Sequence, residues 1–93
     1  MYHLEPTTKF KTDLKKIKKS ENNYKSVVKV LKQLQKGGIS EIPKTMKPHQ
    51  LKGDYKDNWE CHIKPDLLII WFQIDEHQVI QLIRIGSHSD LFK

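Results

Sequence analysis

Arg84 is the only arginine in a chain whose other basic side chains are all lysine, and it sits in the apolar stretch 80–85, four residues before His88. A guanidinium offers phosphate oxygens a planar fork of donors that is always charged, which the point charge of lysine does not. Histidine suits proton transfer because its pKa lies near neutrality. Two more histidines, His49 in KPHQLKG and His62 in WECHIK, join Asp66 in the KPD turn and Phe92 in the tail. Cleaving RNA without a metal takes a base for the 2′-hydroxyl proton, an acid for the 5′-oxygen leaving group and a cation on the crowded phosphate, and this set contains all three.

Taken singly, each of these residues has an ordinary explanation. His49 fits a polar loop, and Asp66 a turn after proline. Arg84 fits a salt-bridged strand, and Phe92 an anchor of the tail in the core. His62 lacks an obvious core role among its charged neighbours. Three histidines with Cys61 and Asp66 raise metal binding as a rival. Cys61 and His62 are adjacent and should point to opposite faces of a strand, however, and the chain has no C-x2-C or H-x3-H pair. No metal and no cofactor are expected, and no glycine-rich phosphate loop or nucleophile elbow is present.

The elements that must position these groups follow from periodicity. YHLE at 2–5 reads as a short strand ended by Pro6, and Thr7 or Thr8 offers an N-cap for a helix with Phe10, Leu14 and Ile17 on one face. SENN at 20–23 reads as a turn. Tyr24, Val27, Val28, Leu31 and Leu34 then form a second apolar stripe that stops at Gly37-Gly38. WECHIK at 59–64 alternates, with Trp59, Cys61 and Ile63 on one face and Glu60, His62 and Lys64 on the other. LLIIWFQI at 67–74 is apolar on both faces and reads as a central strand, paired antiparallel with QVIQLIRI at 78–85. Strand parity leaves the side of Arg84 open. Ser87 with Asp90 forms a capping box for one helical turn, which brings His88 and Phe92 together at i and i+4. The result is one α+β domain, residues 1–93, with two N-terminal helices on one face of an antiparallel sheet.

Composition narrows the setting. The net charge of +6 is concentrated at 9–36, where ten lysines face Asp13 and Glu21. Such a surface suits a polyanion or an acidic partner, and equally a solvated helix face. One cysteine allows no internal disulfide, and the longest apolar run, LLIIWF, is too short to span a bilayer. A cytoplasmic protein with no membrane partner is expected.

The segments PHQLKG, ECHIKPDLLIIW and IRIGSHSDLF, in this order and spacing over nearly the whole chain, resemble the YafQ-type branch of the RelE toxin family. The resemblance implies a bacterial ribonuclease that enters the ribosomal A site and cuts messenger RNA without a metal. It also implies an acidic, DinJ-like antitoxin encoded beside it, a monomer when free and a hetero-oligomer with that antitoxin. Carried over residue by residue, the active-site set is His49, His62, Asp66, Arg84, His88 and Phe92. In that scheme His49 is the general base, His62 positions the 2′-hydroxyl, and His88 and Asp66 act at the leaving group. Arg84 stabilises the phosphate and Phe92 stacks near the substrate. Leu67 stands where some members have tryptophan, so codon preference does not transfer. The competing classes are an inactive toxin relative and a basic RNA-binding module without catalysis. A pure binder would need no histidine pair and would set aromatic platforms among its lysines, whereas Phe10 and Tyr24 fall on the apolar stripes.

Overall fold

In the computed structural model, which describes residues 1–92, a short strand β1 (His3–Pro6) leads into helix α1 (Thr8–Ile17). Thr7 caps that helix: its hydroxyl oxygen accepts from the Phe10 amide at 3.2 Å and donates to the Leu82 carbonyl at 2.9 Å. The cap therefore also ties the helix start to the sheet. Phe10 is buried, with Leu14 and Ile17 packed against the same cluster. Ser20 caps α2 (Glu21–Gly37) by accepting from the Asn23 amide at 3.3 Å, so the second helix begins inside the segment that reads as a turn. Its buried face is Val27, Val30 and Leu34, with Leu31 alongside. Tyr24 is only half-buried, beneath the Lys18 ammonium at 5.6 Å from its ring centre. Gly38 ends the helix at φ 64°, where a β-carbon would meet the Gln73 amide at 2.6–2.8 Å.

Strands β2 (His49–Gln50), β3 (Trp59–Lys64), β4 (Leu67–Ile74) and β5 (Val79–Gly86) complete a five-stranded sheet in the order β1-β5-β4-β3-β2. As its two-sided apolar pattern requires, β4 is central. The pairs among β2, β3, β4 and β5 are antiparallel, while β1 adds to β5 in parallel, so the sheet is mixed. One face packs Cys61, Leu67, Ile69, Trp71, Ile80, Leu82 and Ile85 against the two helices. The other face is not fully open. Leu68 and Ile70 lie under Leu91, with Leu51, Tyr55, Ile83 and Phe92 around them, because the loop before β3 and the tail fold across it.

Two irregularities redirect side chains. The register shifts between His62 and Lys64, which ends the alternation of β3, and the Lys64 ammonium donates to Asn23 of α2 at 2.7 Å. Lys64 thus leaves the face it was expected to share with His62. In β5, Trp71 stands opposite Leu82 and Ile70 opposite Arg84, so Ile83 is the extra residue of a bulge. That bulge resolves the side of Arg84: its backbone stands opposite Ile70, whose side chain faces away from the helices, while its guanidinium reaches Asp13 of α1. Among the described residues, no helix is long and apolar enough to cross a membrane.

Candidate active site

Residues paired directly across strands share a face. One row runs His49, Glu60, Ile70, Arg84 across β2, β3, β4 and β5, and the next runs His62, Leu68, Gly86. Neighbouring strands are about 4.8 Å apart, so His62 is about 10 Å from the end of β5, where the tail turns into helix α3 (His88–Leu91). The sheet thus holds His49 and His62 at one side of a shallow face and the tail at the other.

On the first side, Glu60 lies between two imidazoles. Its side chain is only 5% exposed, with Oε1 3.2 Å from His49 Nε2 and 4.0 Å from His62 Nε2. Oε2 is buried without a hydrogen-bond partner among the described residues. The other nitrogen of His49, Nδ1, lies 2.8 Å from the Lys47 carbonyl. A carbonyl can only accept, which assigns a hydrogen to Nδ1 and turns Nε2 toward the carboxylate. The two rings are 6.5 Å apart. Cys61, next in sequence to both Glu60 and His62, points into the helix-side core, where burial and then the neighbouring Glu60 charge push its thiol up to about 12.

On the second side, Ser87 caps α3 by accepting from the Asp90 amide at 3.2 Å. Asp66, in the turn between β3 and β4, accepts from the His88 amide at 3.0 Å. The turn carboxylate therefore pins the start of the tail helix instead of pointing freely into the cleft. His88 and Phe92 make the expected i, i+4 contact, with ring centres 5.0 Å apart, and Tyr55 meets Phe92 edge-on at 5.8 Å.

Arg84 joins the two sides to the helix layer. Its Nε donates to Asp13 Oδ2 at 2.7 Å and its Nη2 to Asp13 Oδ1 at 3.1 Å. Both side chains are mostly buried, at 18% and 13% exposure. The hydrogen bonds to Asp13 hold the guanidinium well above its usual range, with the nearby Tyr55 hydroxyl acting in the same direction. Lys9 and Lys16 of α1 line a cleft with Asp13 and Arg84, so the lysine-rich helix borders the arginine edge of the site.

All six residues singled out in the sequence lie on or beside this face. Asp13, Tyr55 and Glu60 were not among them. Strand parity does put Glu60 beside His62, but it does not announce that this carboxylate is buried. Among the described residues, no group of three or more histidine, cysteine, aspartate or glutamate side chains is arranged to hold a metal ion.

The fold is that of small α+β toxins. YafQ from Escherichia coli BL21(DE3) superposes with a TM-score of 0.88 over all of both chains at 22% identity. In the E. coli DinJ-YafQ complex the match is 0.86, again at 22% identity over all of both chains. A metal-bound toxin from Helicobacter pylori matches at 0.84 and 38% identity, over 99% of this chain and 100% of that one. Compared by sequence alone with curated proteins, the chain has no match. The family described as the YafQ bacterial toxin of type II toxin-antitoxin systems matches residues 2–93, and the chain belongs to it.

Proposed function

We infer that this toxin is a metal-independent, ribosome-dependent endoribonuclease that cuts messenger RNA in the A site. The observation that carries the reading is the division of proton-transfer groups across one sheet face: His49, Glu60 and His62 at one side, His88 at the other, with Arg84 in the same rows. The strands that carry the two sides lie about 10 Å apart, which leaves room for a phosphodiester on the face between them. In this reading the 2′-oxygen attacks the adjacent phosphorus as the His49–Glu60–His62 group takes its proton. The 5′-oxygen leaves with a proton from His88, giving a 2′,3′-cyclic phosphate and a 5′-hydroxyl. Arg84 neutralises the equatorial oxygens, and Phe92 offers a base an apolar face.

The partners follow from the same reading. The site is a shallow face, so ribosomal RNA must present the substrate, and free RNA is cut poorly. A DinJ-like acidic antitoxin encoded beside the toxin blocks it, as the DinJ-YafQ complex suggests by likeness.

The test is to add pure protein, stripped of transition metals beforehand, to translating ribosomes in magnesium buffer and map new messenger 5′ ends. Cleavage is expected, and it should be lost in His49→Ala and His88→Ala, which change exposed groups and leave the fold and antitoxin binding intact. Equal cutting of naked RNA would overturn ribosome dependence. Silence of the stripped protein, with cutting once a transition metal is returned to it, would overturn the metal-free mechanism. Loss of folding in either variant would reduce that histidine to a structural part.

A further inference from the structure

We propose that Asp13 is the positioning residue of the site: it fixes the guanidinium of Arg84 so that the distal edge of that group faces the scissile phosphate. The inference rests on the reading of Arg84 as the phosphate contact. Three observations carry it. First, Asp13 engages Nε and Nη2, at 2.7 and 3.1 Å, which is one complete edge of the guanidinium. The distal edge, with one N–H from each Nη, is a second fork of the same shape beside the Tyr55 hydroxyl, suited to two oxygens of a phosphate.

Second, Asp13 is itself held by the sheet. The parallel partner β1 ends opposite Leu82, which leaves the next stretch of β5 without a strand beside it. The Ile85 amide, unpaired on that side, donates to Asp13 Oδ2 at 3.1 Å. The carboxylate thus takes the place of the missing strand and cannot swing without giving up a backbone hydrogen bond. Third, the bulge at Ile83 places Arg84 opposite Ile70, and its side chain borders three clefts. One holds Tyr55, Asp90 and Phe92, a second holds Asp13, Lys16, Gly86 and Asp90, and a third holds Thr8, Lys9, Asp13 and Lys16. Without an anchor, a side chain with four rotatable bonds between these clefts would sample all of them.

The same contact admits an opposite meaning, a latch in which α1 occupies the arginine and must let go before RNA binds. The two meanings predict opposite signs. If Asp13 positions Arg84, Asp13→Asn lowers kcat by tenfold or more on ribosomes while KM changes little. Arg84→Lys and the double variant are then equally impaired, because the aspartate acts only through the arginine. A rise in kcat for Asp13→Asn, or losses that multiply in the double variant, would overturn the proposal.

A second measurement separates failure of this proposal from failure of the ribonuclease reading. The Arg84 Nε–H resonance is followed by NMR in the free full chain, as wild type and as Asp13→Asn. A single, slowly exchanging Nε–H in the wild type that broadens or exchanges at least tenfold faster in Asp13→Asn supports positioning even if no messenger is cut. The same linewidth and exchange rate in both proteins overturns it.

Discussion

Arg84 gives one edge of its guanidinium to Asp13 and leaves its remaining donors beside the Tyr55 hydroxyl, and a lysine at this position has no second edge to offer. Arg84→Lys should therefore cost about 2–4 kcal/mol of transition-state stabilisation, the scale of a lost preorganised donor. Folding stability should fall by only about 1 kcal/mol, because the ammonium still pairs with Asp13. Cleavage rate and melting temperature of this one variant check both numbers. Cys61 makes a different statement. Its raised pKa means that the folded protein keeps a proton at a pH where the unfolded chain, titrating near 9.0, has released it. Stability from this group is thus present below pH 9.0 and lost as the pH rises toward about 12, and alkylation should require unfolding. Mass spectrometry after timed alkylation at neutral pH should find Cys61 unmodified in the native protein. The residue types needed for the chemistry were legible in the sequence, as was the His88–Phe92 contact, because both depend on local spacing. The Arg84–Asp13 pair was not. The partners are far apart in the chain, and a bulge that no local pattern announces sets which face the arginine joins.

Among the elements, the one-turn helix α3 has the least support of its own and depends on two caps, Ser87 from within and Asp66 from the β3–β4 turn. Asp66 therefore has a structural duty that any catalytic duty must share. Asp66→Asn keeps an oxygen for the His88 amide but removes the charge, whereas Asp66→Ala removes both. The alanine variant should lose about 1 kcal/mol of stability and loosen the tail, and the asparagine variant should stay close to wild type in melting temperature. If the asparagine variant also loses cleavage, the carboxylate acts in the chemistry. If only the alanine variant does, Asp66 serves by holding His88 in place. The Ser87 cap and the central position of β4 could be read from residue order. The cover over Glu60 could not, since alternation assigns a side chain to a face without saying what crosses that face. Lys64 was misread for a related reason, because one extra residue in a strand reverses every later assignment.

At the scale of the whole molecule, Lys9 and Lys16 of α1 line a cleft with Asp13 and Arg84, so the lysine-rich helix reaches the arginine edge of the sheet. An acidic antitoxin seated there should associate more slowly as salt rises, while its release changes less, because apolar contacts supply most of the affinity. Stopped-flow association at several ionic strengths tests this, and a formation rate indifferent to salt would move the antitoxin off the helices. The parallel pairing of β1 with β5 has a consequence in time. His3 stands opposite Val79, so closing this edge means gathering most of the chain into a single loop. Docking of β1 is then a late event in folding, and Leu4→Ala should speed unfolding while leaving the refolding rate nearly unchanged. During synthesis the first strand and the lysine helices leave the ribosome early and wait, while the arginine edge they complete is still unmade. The machine that builds this toxin therefore releases the chain before its Arg84 edge is closed.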